Sequence, residues 1–183
     1  MTSPRSSIVR TLNGRRHMQA LAWFMVVTLA HWAEHLVQAY QVWVLHMPRH
    51  EAGGVLGMVF PWLVHSEVLH YGYAVVMLIG LALLRPGFHG AARKWWTAAL
   101  LIQVWHHFEH LLLLLQAAFG ANLGGRPVPT SIVQLLVPRI ELHLFYNAVV
   151  FVPMVVGMVL HVLPSSAREN VDCTCARTSL AVR

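Results

Sequence analysis

Four long runs of apolar residues, separated by polar or Gly/Pro-containing connections, dominate this sequence. They extend from about Ala22 to Leu45, from about Val64 to Leu84, from about Trp95 to Ala117, and between Ser131 and Leu163. Val55 is an earlier alternative start for the second run, with Pro61 near it. Crossing a ~30 Å hydrocarbon layer takes roughly 20 helical residues, so each run is long enough to span. None alternates with the period of two that a membrane barrel requires. The first run is too long for a signal peptide, and no small-residue cleavage site follows it. The pattern predicts one all-α domain, an integral-membrane four-helix bundle with helices over about 22–45, 64–84, 95–117 and 131–163. Residues 1–17 and 164–183 read as polar, flexible tails.

Composition agrees. Of 183 residues, 57% are hydrophobic and 11% charged, with a mean hydropathy of +0.56. A soluble domain carries about 25% charged residues, so too few are present to coat a water-facing globule. The net charge of +6 does not indicate nucleic acid, because the basic residues sit at the ends of apolar runs instead of along one face. Arg5, Arg10, Arg15, Arg16, Arg85, Arg93, Lys94, Arg168, Arg177 and Arg183 fall on one side of the expected topology. Arg49, Arg126 and Arg139 fall on the other. The positive-inside rule then places both termini in the cytoplasm of a multi-pass cell-membrane protein. Cys173 and Cys175 are expected as free thiols in the tail, an incidental pair before a soft-metal or palmitoyl site.

Of seven acids, four fall one per apolar run: Glu34, Glu67, Glu109 and Glu141. Histidines accompany them, His31 and His35, His65 and His70, His106, His107 and His110, and His143. A charge at bilayer depth costs at least ~2.5 kcal/mol, so four such glutamates need compensation. At 1.5 Å per residue the groups fall near one level, provided the second and fourth helices begin near Val55 and Ser131.

The two halves look duplicated. His31-Trp32-Ala33-Glu34-His35-Leu36 and His106-His107-Phe108-Glu109-His110-Leu111 share H-x-x-E-H-L, 75 positions apart. Glu67 and Ala74-Val75-Val76 repeat as Glu141 and Ala148-Val149-Val150, 74 apart. A tandem duplication of a two-helix hairpin would supply one central site with two similar ligand sets.

The spacing i, i+3, i+4 puts His31, Glu34 and His35 on one helix face, and likewise His106, Glu109 and His110. Glu67 and His70 share a face as Glu-x-x-His. Carboxylates from four helices with Glu-x-x-His pairs are the ingredients of dinuclear bundle sites. The expected ligands are therefore His31, Glu34, His35, Glu67, His70, His106, Glu109, His110 and Glu141, holding two divalent metal ions, iron before manganese or zinc. Four carboxylates balance two divalent charges. Glu141 and His143 lie about 200° apart around a regular helix, so unless Pro138 loosens the turn enough for both to point inward, His143 joins Gln38, Tyr71, Gln103, Tyr146 and Asn147 as residues expected to orient the ligands.

Other polar groups have plainer roles. His65, His107 and His161 are expected to be packed polar residues, and His46 and His50 to be solvated. Arg139 either snorkels outward or counters a glutamate. Trp23, Trp43, Trp62, Trp95 and Trp96 read as interfacial belt residues. His31-x-x-x-His35 and His106-His107-x-x-His110 resemble the histidine boxes of membrane desaturases and hydroxylases. The box order, the glutamates and the mid-membrane position depart from that pattern.

The expected function is a metal-dependent oxidoreductase with a His/Glu di-iron site, oxidising a lipophilic substrate that enters between helices. Its electrons would come from a partner protein, since no flavin, nicotinamide or Fe–S motif is present. The alternatives are a divalent-metal or proton transporter and a b-type haem protein.

Overall fold

A computed structural model describes residues 4–64 and 66–163; His65 and residues 164–183, with Cys173 and Cys175, lie outside the described residues. Seven α-helices follow in order: α1 (Pro4–Asn13), α2 (His17–Trp43), α3 (Gly54–Val59), α4 (Pro61–Val64), α5 (Glu67–Leu84), α6 (Gly90–Phe119) and α7 (Arg139–Val162). No strand occurs among the described residues. Four segments, His17–Trp43, Glu67–Gly87, Gly90–Phe119 and Arg139–Val162, are long and apolar enough to cross a membrane. The chain is thus all-helical, with the composition of a membrane protein. α6 packs along both α5 and α7, and α2 rests against α7 and α5.

Helix limits differ from the apolar runs where polar residues extend a helix. α6 starts at Gly90 and takes in Arg93 and Lys94, which stay exposed. Both are good helix formers whose charged heads reach water from an apolar stem. The N-terminal arm, expected to be disordered, contains α1. Asn13 ties it down, its Nδ2 donating to Leu83 O at 2.8 Å while its Oδ1 accepts from the Gly87 amide at 2.8 Å.

The second and fourth spans begin at Glu67 and Arg139, later than Val55 and Ser131. The 54–64 stretch forms the short helices α3 and α4, and Val133–Leu135 forms a single 3-10 turn. Pro61 and Pro138 cannot donate a backbone hydrogen bond, so each marks a break or a start. Ser66 caps α5, its hydroxyl accepting from Val68 N at 3.3 Å. α6 stops at Gly120 in the left-handed conformation (φ 66), whereas α2 is followed by Val44 in the right-handed one, and the chain turns left-handed only at His46 (φ 54).

The end of the molecule near both termini is an apolar core. Phe88, Leu81, Trp96 and Met154 are fully buried there, and Phe88 stacks on Trp96 at 4.2 Å. Trp96 is therefore a core residue and not part of an interfacial belt. Its indole donates to Leu81 O at 2.8 Å, which satisfies the one polar atom it buries. Trp23, Trp43, Trp62 and Trp95 are exposed. Close helix approach uses missing side chains: a Cβ on Gly157 would sit 3.2 Å from Ala92 O and Trp96 N. The opposite end, where residues 44–66 and 120–138 connect the helices, is polar inside.

Candidate metal centre

At the loop end, six imidazoles from all four long helices face one another. His31 and His35 come from α2, His70 from α5, His106 and His110 from α6, and His143 from α7. The two α-helical i, i+4 pairs have almost the same geometry. His31 and His35 lie 4.5 Å apart by ring centroid, with Nε2 to Nε2 at 3.1 Å; His106 and His110 repeat both values. His143 sits among them, 5.0 Å from His35, 5.3 Å from His110, 5.9 Å from His106 and 6.0 Å from His70.

Three of the six rings are aimed by their Nδ1 atoms. His35 Nδ1 donates to Gln38 Oε1 at 2.7 Å, one turn along α2. His70 Nδ1 donates to Ser66 O at 3.1 Å and His143 Nδ1 to Arg139 O at 2.7 Å, each four residues back. A carbonyl oxygen only accepts, so in these rings Nδ1 carries the proton and Nε2 keeps its lone pair. His143 Nε2 is buried with no hydrogen-bond partner. A buried lone pair without a donor is costly, and metal-ligating histidines carry this same arrangement of a tied Nδ1–H and an outward-facing Nε2.

This geometry places His143 inside the cluster of imidazoles, beside His35 and His110. His70 and His143 are 73 positions apart, as are Tyr73 and Tyr146. Tyr73 stacks on His31 at 3.5 Å and Tyr146 packs on His106 at 4.2 Å. The repeated His-x-x-Tyr at this offset, one residue short of the Glu67/Glu141 register, was the overlooked signal. It also brings Tyr73 into the cluster, beside His31.

The carboxylates do not converge with the imidazoles. Glu34 Oε1 accepts from the Leu56 amide in the first turn of α3. Gly54 opens that helix with φ 71, and a Cβ there would collide with the Glu34 carboxylate, so only glycine fits. Glu109 Oε1 accepts from Val133 N and Ser131 Oγ, both at 3.1 Å. Gln41 and Gln116, again 75 apart, hold the same loops through Gly54 N at 2.8 Å and through Leu123 N at 2.8 Å with Thr130 N at 3.2 Å. Glu67 pairs with both guanidinium nitrogens of Arg139 at 2.6 and 2.8 Å, and Glu141 pairs with Arg49 at 2.7 Å. Arg139 thus counters a glutamate.

The compensation demanded by four glutamates comes largely from the protein itself. Two arginines cancel two of them, and loop amides at the start of short helical turns solvate the other two. Glu109 Oε2 still lacks a hydrogen-bond partner and lies 4.0 Å from His106 Nδ1.

The remaining candidates divide. Gln38 orients His35, and Tyr146 receives a hydrogen bond from Trp105 Nε1 at 2.8 Å. Asn147 Nδ2 is buried without a partner and borders the cluster. Gln103 also borders it and donates to Ala74 O at 3.2 Å. Tyr71 packs on His107 at 5.3 Å, outside the six. His161 lies at the other end, 5.1 Å from His17.

Two spaces touch the cluster. A cavity of ≈ 440 Å³ at the loop end is bordered by His35, His70, His143, Glu67, Arg139 and Arg49, among others. A void of ≈ 20 Å³ deeper in the helices is bordered by His31, His106, His110, Tyr73 and Tyr146. The two share no bordering residue. Among the described residues, no three His, Cys, Asp or Glu side chains are gathered as they stand into a group that could hold a metal ion. Two imidazole nitrogens bound to one ion at about 2.1 Å lie about 3.0–3.4 Å apart. The His31/His35 and His106/His110 pairs have that separation, at 3.1 Å each. No protein-family profile matches the chain, and no curated protein or solved structure is significantly similar to it.

Proposed function

We propose that the protein is an integral-membrane, metal-dependent oxidoreductase whose redox ion or ions are held by the six-histidine cluster. Its four spans form a bundle built from two tandem copies of a helical hairpin, with both termini cytoplasmic and the histidines toward the outer face. The observation that carries this reading is the convergence of six imidazoles from four helices, with Nδ1 tied in three and the His143 Nε2 lone pair buried and unmatched. The equal 3.1 Å separations at two positions 75 residues apart support the duplication.

Imidazole donors suit iron, copper and zinc, and redox chemistry selects iron or copper among these. Such an ion, when bound, supplies one-electron and oxygen chemistry. The chain supplies the rest. Gln38 and the Ser66 and Arg139 carbonyls fix the ring tautomers, and Glu109 stands ready to accept from His106 Nδ1. Tyr73 and Tyr146 place oxidisable rings directly against candidate ligands. After the arginine pairs are counted, Glu34 and Glu109 leave two negative charges beside the cluster, which favours a divalent cation there. A partner protein would deliver electrons, as no electron-carrying motif is present. A lipophilic substrate remains compatible with a site inside the membrane.

Transit of metal or protons has less support. The polar lining stops at Thr28 and Gln103, and beyond it Phe24, Met77, Trp96 and Met154 pack together in the apolar core among the described residues. A haem has less support too, because ring centroids 4.5–6.2 Å apart leave no slot for a macrocycle.

Metal analysis of the purified chain tests the proposal. Iron or copper should copurify at one or more ions per chain, and His35→Ala with His143→Ala should remove it. Glu141→Gln, at the Arg49 ion pair, should leave it in place. A wild-type protein free of transition metal after purification and reconstitution would overturn the reading.

A further inference from the structure

We infer that residues 54–64 and 130–136 are re-entrant elbows that dip into the outer leaflet and turn apolar side chains toward lipid acyl chains. This rests on the four helices spanning a membrane and needs no bound metal. On α2 the exposed rings of Trp23 and Trp43 lie twenty residues apart. That is about 30 Å of helix, the thickness of a hydrocarbon layer. Gln41 and Glu34 lie about 3 and 14 Å inward of Trp43 along α2. The chain follows them inward, because Gln41 Oε1 accepts from the Gly54 amide and Glu34 Oε1 from the Leu56 amide. The second half repeats the descent along α6. Gln116 Oε1 accepts from Leu123 N and Thr130 N, and Glu109 Oε1, seven residues deeper, accepts from Val133 N. The start of α5 leaves room for such an elbow. Thr28 Oγ1 donates to Met77 Sδ at 3.4 Å, so these two residues are level. Ten residues outward on each helix, Glu67 comes level with Gln38, about 8 Å short of Trp43.

Two features select lipid over water as the occupant. The elbows carry no charge: no Asp, Glu, Lys or Arg occurs in 52–64 or in 127–138. Met58, Val59, Phe60, Pro61 and Trp62 are consecutive and all exposed, and Ile132, Leu135 and Leu136 are exposed on the other elbow. The second feature is the backbone. Non-helical backbone at membrane depth needs partners within the protein, since lipid offers none. Gln41 binds both the amide and the carbonyl of Gly54, and Gln116 binds both those of Thr130. Gln134 Oε1 accepts from the Ser131 amide at 2.6 Å. Glu34 and Glu109 thus anchor the deepest part of each elbow, and the elbow amides give each carboxylate its donors there.

Spin labels read the surroundings of each elbow. The full chain with Cys173→Ser and Cys175→Ser receives one nitroxide-labelled cysteine at a time, as Met58→Cys, Val59→Cys or Leu136→Cys, in phosphatidylcholine vesicles. Leu101→Cys, exposed in the middle of α6, gives the lipid value, and Glu51→Cys, exposed beside His50, gives the water value. Power saturation then compares collisions with oxygen, which concentrates in lipid, and with a water-soluble nickel chelate. All three elbow labels should behave like Leu101→Cys, with chelate accessibility about fivefold or more below that of Glu51→Cys. Glu34→Leu should at least double the chelate accessibility at Met58→Cys and leave Leu136→Cys unchanged; Glu109→Leu should do the reverse. Elbow labels as open to the chelate as Glu51→Cys place the elbows in water and overturn the inference. Labels shielded from both reagents are covered by protein, such as a second copy of the chain, and overturn it as well. Labels that ignore the loss of their glutamate overturn the anchoring. Metal content, measured on the unlabelled chain, decides the metal-binding proposal separately.

Discussion

The two halves of the chain, residues 17–87 and 90–162, use the same positions for the same tasks but with unequal partners. Glu34 and Glu109 both brace a loop, Gln41 and Gln116 both hold it further out, and His31/His35 and His106/His110 both present facing Nε2 atoms. The details then diverge. His35 Nδ1 has Gln38, whereas the position equivalent to Gln38 is Leu113 and His110 Nδ1 is buried without a partner. Glu67 is held by two short bonds in a largely buried site, at 9% side-chain exposure, while Glu141 and Arg49 are 25% and 57% exposed. Similar contacts about 75 positions apart, made with different partners, leave the two halves chemically distinct.

The largest test of that inequality is at the ion pairs. Arg139→Ala leaves Glu67 buried and uncompensated and should destabilise the protein by about 3 kcal/mol, whereas Arg49→Ala should cost less than about 1 kcal/mol. Unfolding titrations of both variants in the same detergent check this, and equal losses would remove the distinction. Next, Gln38→Leu makes the first half resemble the second. By removing the bond that orients His35 it should weaken metal affinity roughly 10- to 100-fold, read by competition with a chelator, while the helix content is unchanged.

Loop tethers give a smaller effect. Gln116 makes four hydrogen bonds to its loop and helix, to Leu112 O, Thr130 O, Leu123 N and Thr130 N; Gln41 makes two, both to Gly54. Gln116→Leu should therefore cost about 2 kcal/mol and Gln41→Leu about 1 kcal/mol, with hydrogen exchange faster at the matching loop in each case. The smallest expected change is Tyr71→Phe. Its ring packs on His107 outside the cluster, so metal content and stability should stay within about 0.5 kcal/mol of wild type.

Much of this architecture was readable before any coordinates. Hydropathy located all four membrane-length helices, three of them to within about five residues at each end and the fourth eight residues early at its start, because a helix crossing a membrane must be long and apolar whatever its neighbours are. The i, i+3, i+4 spacing put His31, Glu34 and His35 on adjacent faces, yet one residue beside the histidines points elsewhere. Helical spacing reports the angle at which a side chain leaves its own helix, and it is silent on what waits there. Glu34 meets the Leu56 amide, 22 positions away, and Glu141 meets Arg49, 92 positions away. The late start of α5 and α7 was obscured because residues 54–64 are nearly as apolar as a span. They are spent on two short helices that cap the loop end.

The order of apolar and polar residues determined that this chain is helical, that it has four membrane-length segments, and that histidine and glutamate repeat within them, since each of these depends on contacts a few residues apart. Only the tertiary structure decided that the imidazoles gather while the carboxylates turn away to arginines and loop amides. Charges are satisfied by whatever donor the fold brings within hydrogen-bond reach, and those donors arrive from distant parts of the chain.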